Sequence, residues 1–472
     1  MMGGMTMFVG RQKELSELHT RYQSDQFEFA VFYGRRRVGK TTLINEFCKD
    51  KNAIYFVGIE STEQDNLTLM SKAVFDHTMP GMDLPPFESF HKLLDYIVQL
   101  AQKERLILVI DEYPYLAESY PAISSILQAY IDRHFLNSKL FLILCGSSMS
   151  FMEHQVLGAK SPLYGRRTAQ FKIHPFGFKE SALMLDGYSN EDKALIYGMT
   201  GGIPEYLSRV DTAKTVRENI IAMFLNPSGR LFEEPSNLLK QELRDPSVYN
   251  SIIAAIAGGA CKQSEIVNKV GLESGAVSNY LSSLINLGLV KKEIPITETV
   301  SRKTLYLLED QMYRFWYRFV MPNLPALLAG RAEEIYEKRI EPELTAYMGF
   351  IFEKIAQEYL WELAARGDAP FFFFKLGRWW GNNPVKKQQE EIDIMAIGQN
   401  EVLLGECKWN NSPVGSAVVS DLMQQSKLFS YPQTWFYVFA KRSFTPEAIQ
   451  LAQATPQTAL VTFAQICAYY HM

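Results

Sequence analysis

Four short runs, residues 27–33, 53–57, 106–110 and 140–145, are almost wholly apolar, and longer segments with helical spacing separate them. Strands that are apolar on both faces are covered on both faces, as in a parallel sheet flanked by helices. The first 150 residues therefore predict an α/β domain. From 178 to 244 the spacing turns helical, with Gly201-Gly202-Ile203-Pro204 breaking it. Residues 247–256, 262–270 and 273–287 then predict three short helices, and 290–296 with 304–308 a hairpin. That order predicts a winged helix-turn-helix. Beyond Tyr313 the chain is rich in aromatics and returns to an αβ pattern. It predicts a helix over 348–360, strands over 390–397 and 402–409 joined at Gly398-Gln399-Asn400, and a helix over 418–429.

Length agrees with several domains, since 472 residues at about 150 per domain suggest three. Hydrophobic residues at 47% and charged residues at 21% place the chain among globular proteins. With 48 basic and 52 acidic side chains, the net charge of −4 excludes a polycation that coats nucleic acid, but not a local basic groove. Cys48, Cys145, Cys261, Cys407 and Cys467 form no CxxC pair, which reads as reduced thiols in a cytoplasmic protein. No basic start followed by an apolar run marks a signal peptide, and the longest apolar runs are too short to span a bilayer. No membrane partner is expected.

The first strand leads into Gly34-Arg35-Arg36-Arg37-Val38-Gly39-Lys40-Thr41-Thr42, and an amphipathic helix follows. This is GxxxxGK[ST] between strand and helix, where glycines let backbone N–H groups turn toward phosphate oxygens. Lys40 is expected to reach the β and γ phosphates of ATP, and Thr41 to hold Mg2+. The apolar run 106–110 ends in Asp111-Glu112. Asp111 is expected in the Mg2+ shell, and Glu112 to orient or deprotonate the attacking water. Run 140–145 ends at Gly146-Ser147-Ser148, where Ser147 either senses the γ-phosphate or simply forms a turn.

These residues, with Phe8-Val9-Gly10-Arg11-Gln12-Lys13-Glu14-Leu15, Gly202-Ile203-Pro204 and Ser161-Pro162-Leu163-Tyr164-Gly165-Arg166-Arg167-Thr168, make the first 245 residues resemble the STAND-type ATPases. Those belong to the AAA+-related P-loop class. The resemblance implies that Phe8, Gly10 and Arg11 close over the base, and that Pro204 belongs to the nucleotide-sensing lid. Arg166 or Arg167 would touch the γ-phosphate, in cis or from a neighbouring copy in a homo-oligomer; a solvated basic pair is the alternative. Residues 1–175 are then the P-loop core, 176–245 a helical lid and 246–312 the winged helix.

The expected recognition helix, 273–287, carries Glu273 but no Lys or Arg. Ser274, Ser278, Asn279, Tyr280 and Ser282 suit base edges but release no counterions. The wing supplies Lys291, Lys292, Arg302 and Lys303. DNA binding and packing against the ATPase core both remain open.

In the last segment, 313–472, Glu406 and Lys408 share one face of a strand, and Asp393 lies near the start of its hairpin partner. Two carboxylates and a lysine suit one or two Mg2+ (or Mn2+) ions and a metal-activated hydroxide. The pattern resembles the PD-(D/E)xK phosphodiesterases, with Glu406-Cys407-Lys408 as the (D/E)xK element. That resemblance implies a restriction-endonuclease-like α/β domain, Glu353 as a further metal ligand, and Gln424 or Gln425 near the site. Related STAND ATPases carry such a domain. A salt-bridged structural trio is the alternative. Arg378, Trp379, Trp380, Lys386 and Lys387 could hold a phosphate backbone and stack bases, although most of those rings suit packing better. The expected function is an ATP-hydrolysing switch controlling a metal-dependent nuclease-like domain on nucleic acid. Its rival is an ATP-gated interaction switch with an inactive nuclease-like scaffold.

Overall fold

The computed structural model describes residues 8–243, 245–301, 303–384 and 386–472. Arg302 of the wing and Arg244 at the end of the lid lie outside the described residues. The chain forms two compact units, one from residues up to Phe176 with Ile203–Glu205, the other from Gly177–Gly202 and Tyr206–Met472.

The first unit holds a five-stranded sheet of β1 (Glu28–Tyr33), β2 (Ala53–Val57), β3 (Leu106–Asp111), β4 (Leu140–Gly146) and β5 (Ala169–Lys172), in the order β2-β3-β4-β1-β5. All pairings are parallel. Every residue of β3 and β4 is buried, as their uninterrupted apolar runs require. β5 escaped the sequence reading because it is a four-residue edge strand that alternates buried and exposed.

The second unit begins with the helices Phe178–Leu183 and Asn190–Thr200. Three helices, Pro246–Ala257, Gln263–Val270 and Ser274–Asn286, precede the antiparallel pair β6 (Val290–Glu293) and β7 (Leu305–Leu308). This is the expected winged helix-turn-helix, with a first wing strand that stops short of Ile296. A 23-residue helix, Leu344–Arg366, then leads into β8 (Lys375–Asn383), β9 (Gln388–Ile397), β10 (Glu401–Lys408), β11 (Gln433–Ala440) and β12 (Thr458–Thr462). Sheet order is β12-β11-β10-β9-β8. The pairs β8–β9 and β9–β10 are antiparallel, whereas β10–β11 and β11–β12 are parallel. The helices Ser416–Ser426 and Pro446–Ala454 make the two parallel crossovers. β8 was not expected; a register shift between Gly377 and Trp379 interrupts its alternation. Among the described residues no helix is long and apolar enough to cross a membrane.

A buried carboxylate ties the long helix to the lid helices of this unit. Glu358 accepts hydrogen bonds from the Tyr197 hydroxyl and the Phe178 N–H, both at 2.7 Å. Tyr347 of the same helix donates to the Gly198 carbonyl at 2.6 Å. Burial raises the Glu358 pKa above the ordinary carboxylate range despite those donors. Folded chains therefore bind a proton here that unfolded chains have already released. Stability is expected to fall as pH rises from the ordinary carboxylate range through the raised folded value. Glu358→Gln should flatten part of that limb in thermal melts recorded across pH; an unchanged profile would mean that the carboxyl titrates alike in both states.

Candidate functional site

The phosphate loop is shaped by two glycines. Gly39, at φ 87°, caps the helix Lys40–Cys48, and Gly34 has φ 152° where β1 ends. Lys40 is buried, with Nζ donating to the carbonyls of Gly34 at 2.8 Å and Arg35 at 3.0 Å. Thr41 Oγ1 donates to Asp111 Oδ2 at 2.9 Å, so the two expected Mg2+-binding groups meet at the strand end. A hydroxyl and a carboxylate beside a phosphate loop are a donor set that suits Mg2+.

Asp111 is also bound by a residue that the sequence reading missed. The Tyr55 hydroxyl donates to Asp111 Oδ2 at 2.6 Å. Burial, and then the Asp111 charge, hold its pKa far above the usual phenol range, so Tyr55 remains a donor. The parallel register that places Val57 opposite Asp111 brings β2 alongside, but a single aromatic within an apolar run gives no signal of this. Glu112 has a left-handed backbone, φ 47°, and its N–H donates to Asp111 Oδ1 at 2.9 Å. The Ser147 hydroxyl lies 3.0 Å from both Glu112 carboxylate oxygens, and its N–H donates to Oε2 at 3.3 Å. Ser147 thus holds Glu112, a contact beyond its expected part as a γ-phosphate sensor or turn former.

Arg11 also has a left-handed backbone, φ 60°. Its guanidinium donates to the Val38 carbonyl at 3.3 Å and to that of His174, and lies 4.6 Å from the Phe176 ring centre. The FxGR segment is thereby tied to the phosphate loop. Pro204 Cγ lies 3.8 Å from where a Cβ on Gly39 would stand. Arg166 forks onto Asp132, with Nε and Nη2 at 2.8 and 2.7 Å. That pair commits its guanidinium to a neighbouring helix.

In the second unit, Asp393 on β9, Glu406 and Lys408 on β10 and Glu353 on the long helix come together. Asp393 Oδ2 accepts the Cys407 N–H at 2.9 Å, and Lys408 Nζ lies 2.5 Å from Glu406 Oε1. Burial first, and then the Asp393 charge, push Glu353 up to about 8 and Glu406 up to about 7. Burial raises Asp393 as well. Crowded carboxylates raise one another in this way when no cation neutralises them fully.

Oxygen donors of this kind suit Mg2+, but their placement does not. Among the described residues no three His, Cys, Asp or Glu side chains are set to hold a metal ion. The joint ligation expected of Glu353, Asp393 and Glu406 is therefore not met in this arrangement. Cations of the chain stand there instead: Lys408 on Glu406, and Arg378 Nε at 3.5 Å from Glu353 Oε2. The aromatic cluster upstream is structural. Trp379 packs edge-on against Phe429 at 4.9 Å, and Trp380 Nε1 donates to the Lys303 carbonyl at 3.1 Å. Lys386 pairs with Glu390 at 3.1 Å, and Gln425 reaches the Glu391 carbonyl at 3.3 Å.

The strand–loop–helix, the Thr41–Asp111 contact and the Glu112–Ser147 pair together define a P-loop ATPase-type domain. Residues 8–210 match a family described as an ATPase domain predominantly from Archaea. Residues 250–292 match the arsR family of bacterial regulatory proteins, and 316–420 a family of archaeal and bacterial proteins of unknown function. An uncharacterized protein of Methanocaldococcus jannaschii is 35% identical over 428 residues, covering 89% of this chain and 92% of that protein. The chain belongs to the family of that archaeal protein. Among solved structures, the Walker-type ATPase of Pyrococcus abyssi is similar at 18% identity and a TM-score of 0.49, covering 66% of this chain and 96% of that one. A STAND protein with a tetratricopeptide-repeat sensor from Pyrococcus horikoshii is similar at 15% identity and a TM-score of 0.32, covering 78% of this chain and 53% of that one.

Proposed function

We propose that the protein is an ATP-hydrolysing switch of the STAND type, whose nucleotide state controls a restriction-endonuclease-like domain directed at nucleic acid. The contact of Thr41 with Asp111 at 2.9 Å, beside the buried Lys40, carries the ATPase half. Lys40 binds the β and γ phosphates, Thr41 and Asp111 hold Mg2+ with ATP, and Glu112 orients the attacking water. Residues 1–175 form the core, 176–245 the lid, 246–312 the winged helix and 313–472 the effector domain.

The effector reading is supported by a helix followed by three antiparallel strands, a crossover helix and a parallel strand, with Glu353, Asp393, Glu406 and Lys408 gathered on it. The match to a bacterial regulatory family adds a module suited to nucleic acid. One observation favours the rival reading, an interaction switch with an inactive scaffold: Arg378 and Lys408 already stand against the acidic cluster as counter-charges. A cleavage assay on labelled linear, branched and single-stranded DNA and RNA with Mg2+ or Mn2+ separates the two. It is run with and without ATP, beside Lys40→Ala and Asp393→Ala. Cleavage lost in Asp393→Ala and altered by ATP or by Lys40→Ala is the expected result. Equal background in all preparations would leave the interaction switch.

A further inference from the structure

Arg378 sits where three elements of the second unit meet. Its Nη2 bonds Glu391 of β9, Nη1 lies 3.3 Å from Glu293 of wing strand β6, and Nε lies 3.5 Å from Glu353 of the long helix. The side chain is only 16% exposed, so these carboxylates rather than water balance its charge. Yet Arg378 Nε and Glu353 Oε2 are both buried and make no hydrogen bond. The guanidinium therefore serves Glu353 as a counter-charge, without the forked bonding that would fix the pair.

The wing lies along the same strand. Ile296 N–H donates to the Arg378 carbonyl at 3.0 Å, and the Trp380 indole donates to the Lys303 carbonyl at 3.1 Å. Gly377 opens onto the Ile296 side chain, where an added Cβ would stand 3.5 Å from Ile296 Cδ1. Two of the wing lysines are paired locally: Lys291 lies 3.1 Å from Glu293, and Lys303 lies 2.8 Å from Glu298. The wing is thus bonded to this strand through backbone groups, with Lys291 and Lys303 on its own glutamates.

We propose that Arg378 is the resident cation of the acidic cluster and clasps the wing to β8, so that divalent metal is excluded until the wing releases the guanidinium. The inference rests on reading the cluster as a restriction-endonuclease-like site. It accounts for why the donor set suits Mg2+ while no metal-holding triad forms. A guanidinium and a divalent ion a few ångströms apart repel, so the two compete for the same carboxylates. Glu293 positions Arg378 from the wing side and makes release of the wing and opening of the cluster one event.

Manganese alone is the probe, titrated by calorimetry into the nucleotide-free full-length chain. The set is wild type, Asp393→Asn, Arg378→Gln, Glu293→Gln and Arg378→Gln combined with Asp393→Asn. Circular dichroism checks folding, and hydrogen exchange follows the peptide containing Ile296. Arg378→Gln is expected to gain Mn2+ affinity by about tenfold or more, and the Asp393→Asn combination to abolish the gain. Glu293→Gln keeps the guanidinium and should move in the same direction, with faster exchange at Ile296 in both single variants. Asp393-dependent binding by wild type as tight as by Arg378→Gln would overturn the clasp and leave the metal-dependent reading standing. Absence of such binding in every folded variant would overturn both.

Discussion

Glu112→Gln is expected to lower ATP turnover by about a hundredfold to ten-thousandfold, the usual range for loss of a positioned general base. ATP affinity should stay within about threefold, because phosphate binding is expected to rest on Lys40 and the loop N–H groups rather than on Glu112. The structure sharpens this expectation. Glu112 is held by the Ser147 hydroxyl and N–H at 3.0 and 3.3 Å, and its left-handed backbone, φ 47°, sets the direction in which the side chain leaves the strand. Asp111 next to it is already engaged by Thr41, by Tyr55 and by the Glu112 N–H. The two carboxylates thus have separate partners, Thr41 and Tyr55 for Asp111 and Ser147 for Glu112. Single-turnover hydrolysis beside binding of a fluorescent ATP analogue makes the measurement. Turnover within about threefold of wild type would show that Glu112 does not act on the attacking water.

The nucleotide site was legible because its chemistry is local. Strand, loop and helix are contiguous, so Lys40 and Thr41 follow from spacing alone, and Asp111 from the end of an apolar run. Partners supplied by distant strands were not legible. Tyr55 reaches Asp111 only through the β2–β3 register, and Arg166 pairs with Asp132 only once a loop and a helix are side by side. In the second unit the sequence pointed to Asp393, Glu406 and Lys408 on one hairpin, and these do come together. It did not point to Arg378 as their neighbour. β8 bulges between Gly377 and Trp379, so the period-two pattern that would place Arg378 on the cluster's side is broken. The WW pair beside it left base stacking open but suited packing better, and Trp379 does pack on Phe429 while Trp380 donates to the Lys303 carbonyl.

Gly34→Ala should damage the phosphate loop more than a positive backbone angle alone explains. A Cβ at Gly34 would stand 2.3 Å from the Ile173 carbonyl oxygen, well inside van der Waals contact, and φ is 152°. Ile173 is not free to yield, because its N–H donates to the Tyr33 carbonyl at 2.8 Å and Tyr33 pairs with Lys172 in register. Relief requires β5 to part from β1 or the loop to rise from the strand end. Either shifts the Gly34 carbonyl that holds Lys40 Nζ. The expected cost is about 2–4 kcal/mol of stability, with ATP affinity reduced about tenfold or more. Gly81→Ala is the matched control: its φ is 84° and nothing lies within 4 Å of an added Cβ. It should cost only about 1 kcal/mol and leave ATP binding unchanged. Thermal melts and nucleotide titrations of both variants make the comparison. Equal melting and equal ATP affinity in the two would mean that the β1–β5 junction yields freely, and that the backbone geometry of Gly34 is not what holds Lys40 in place.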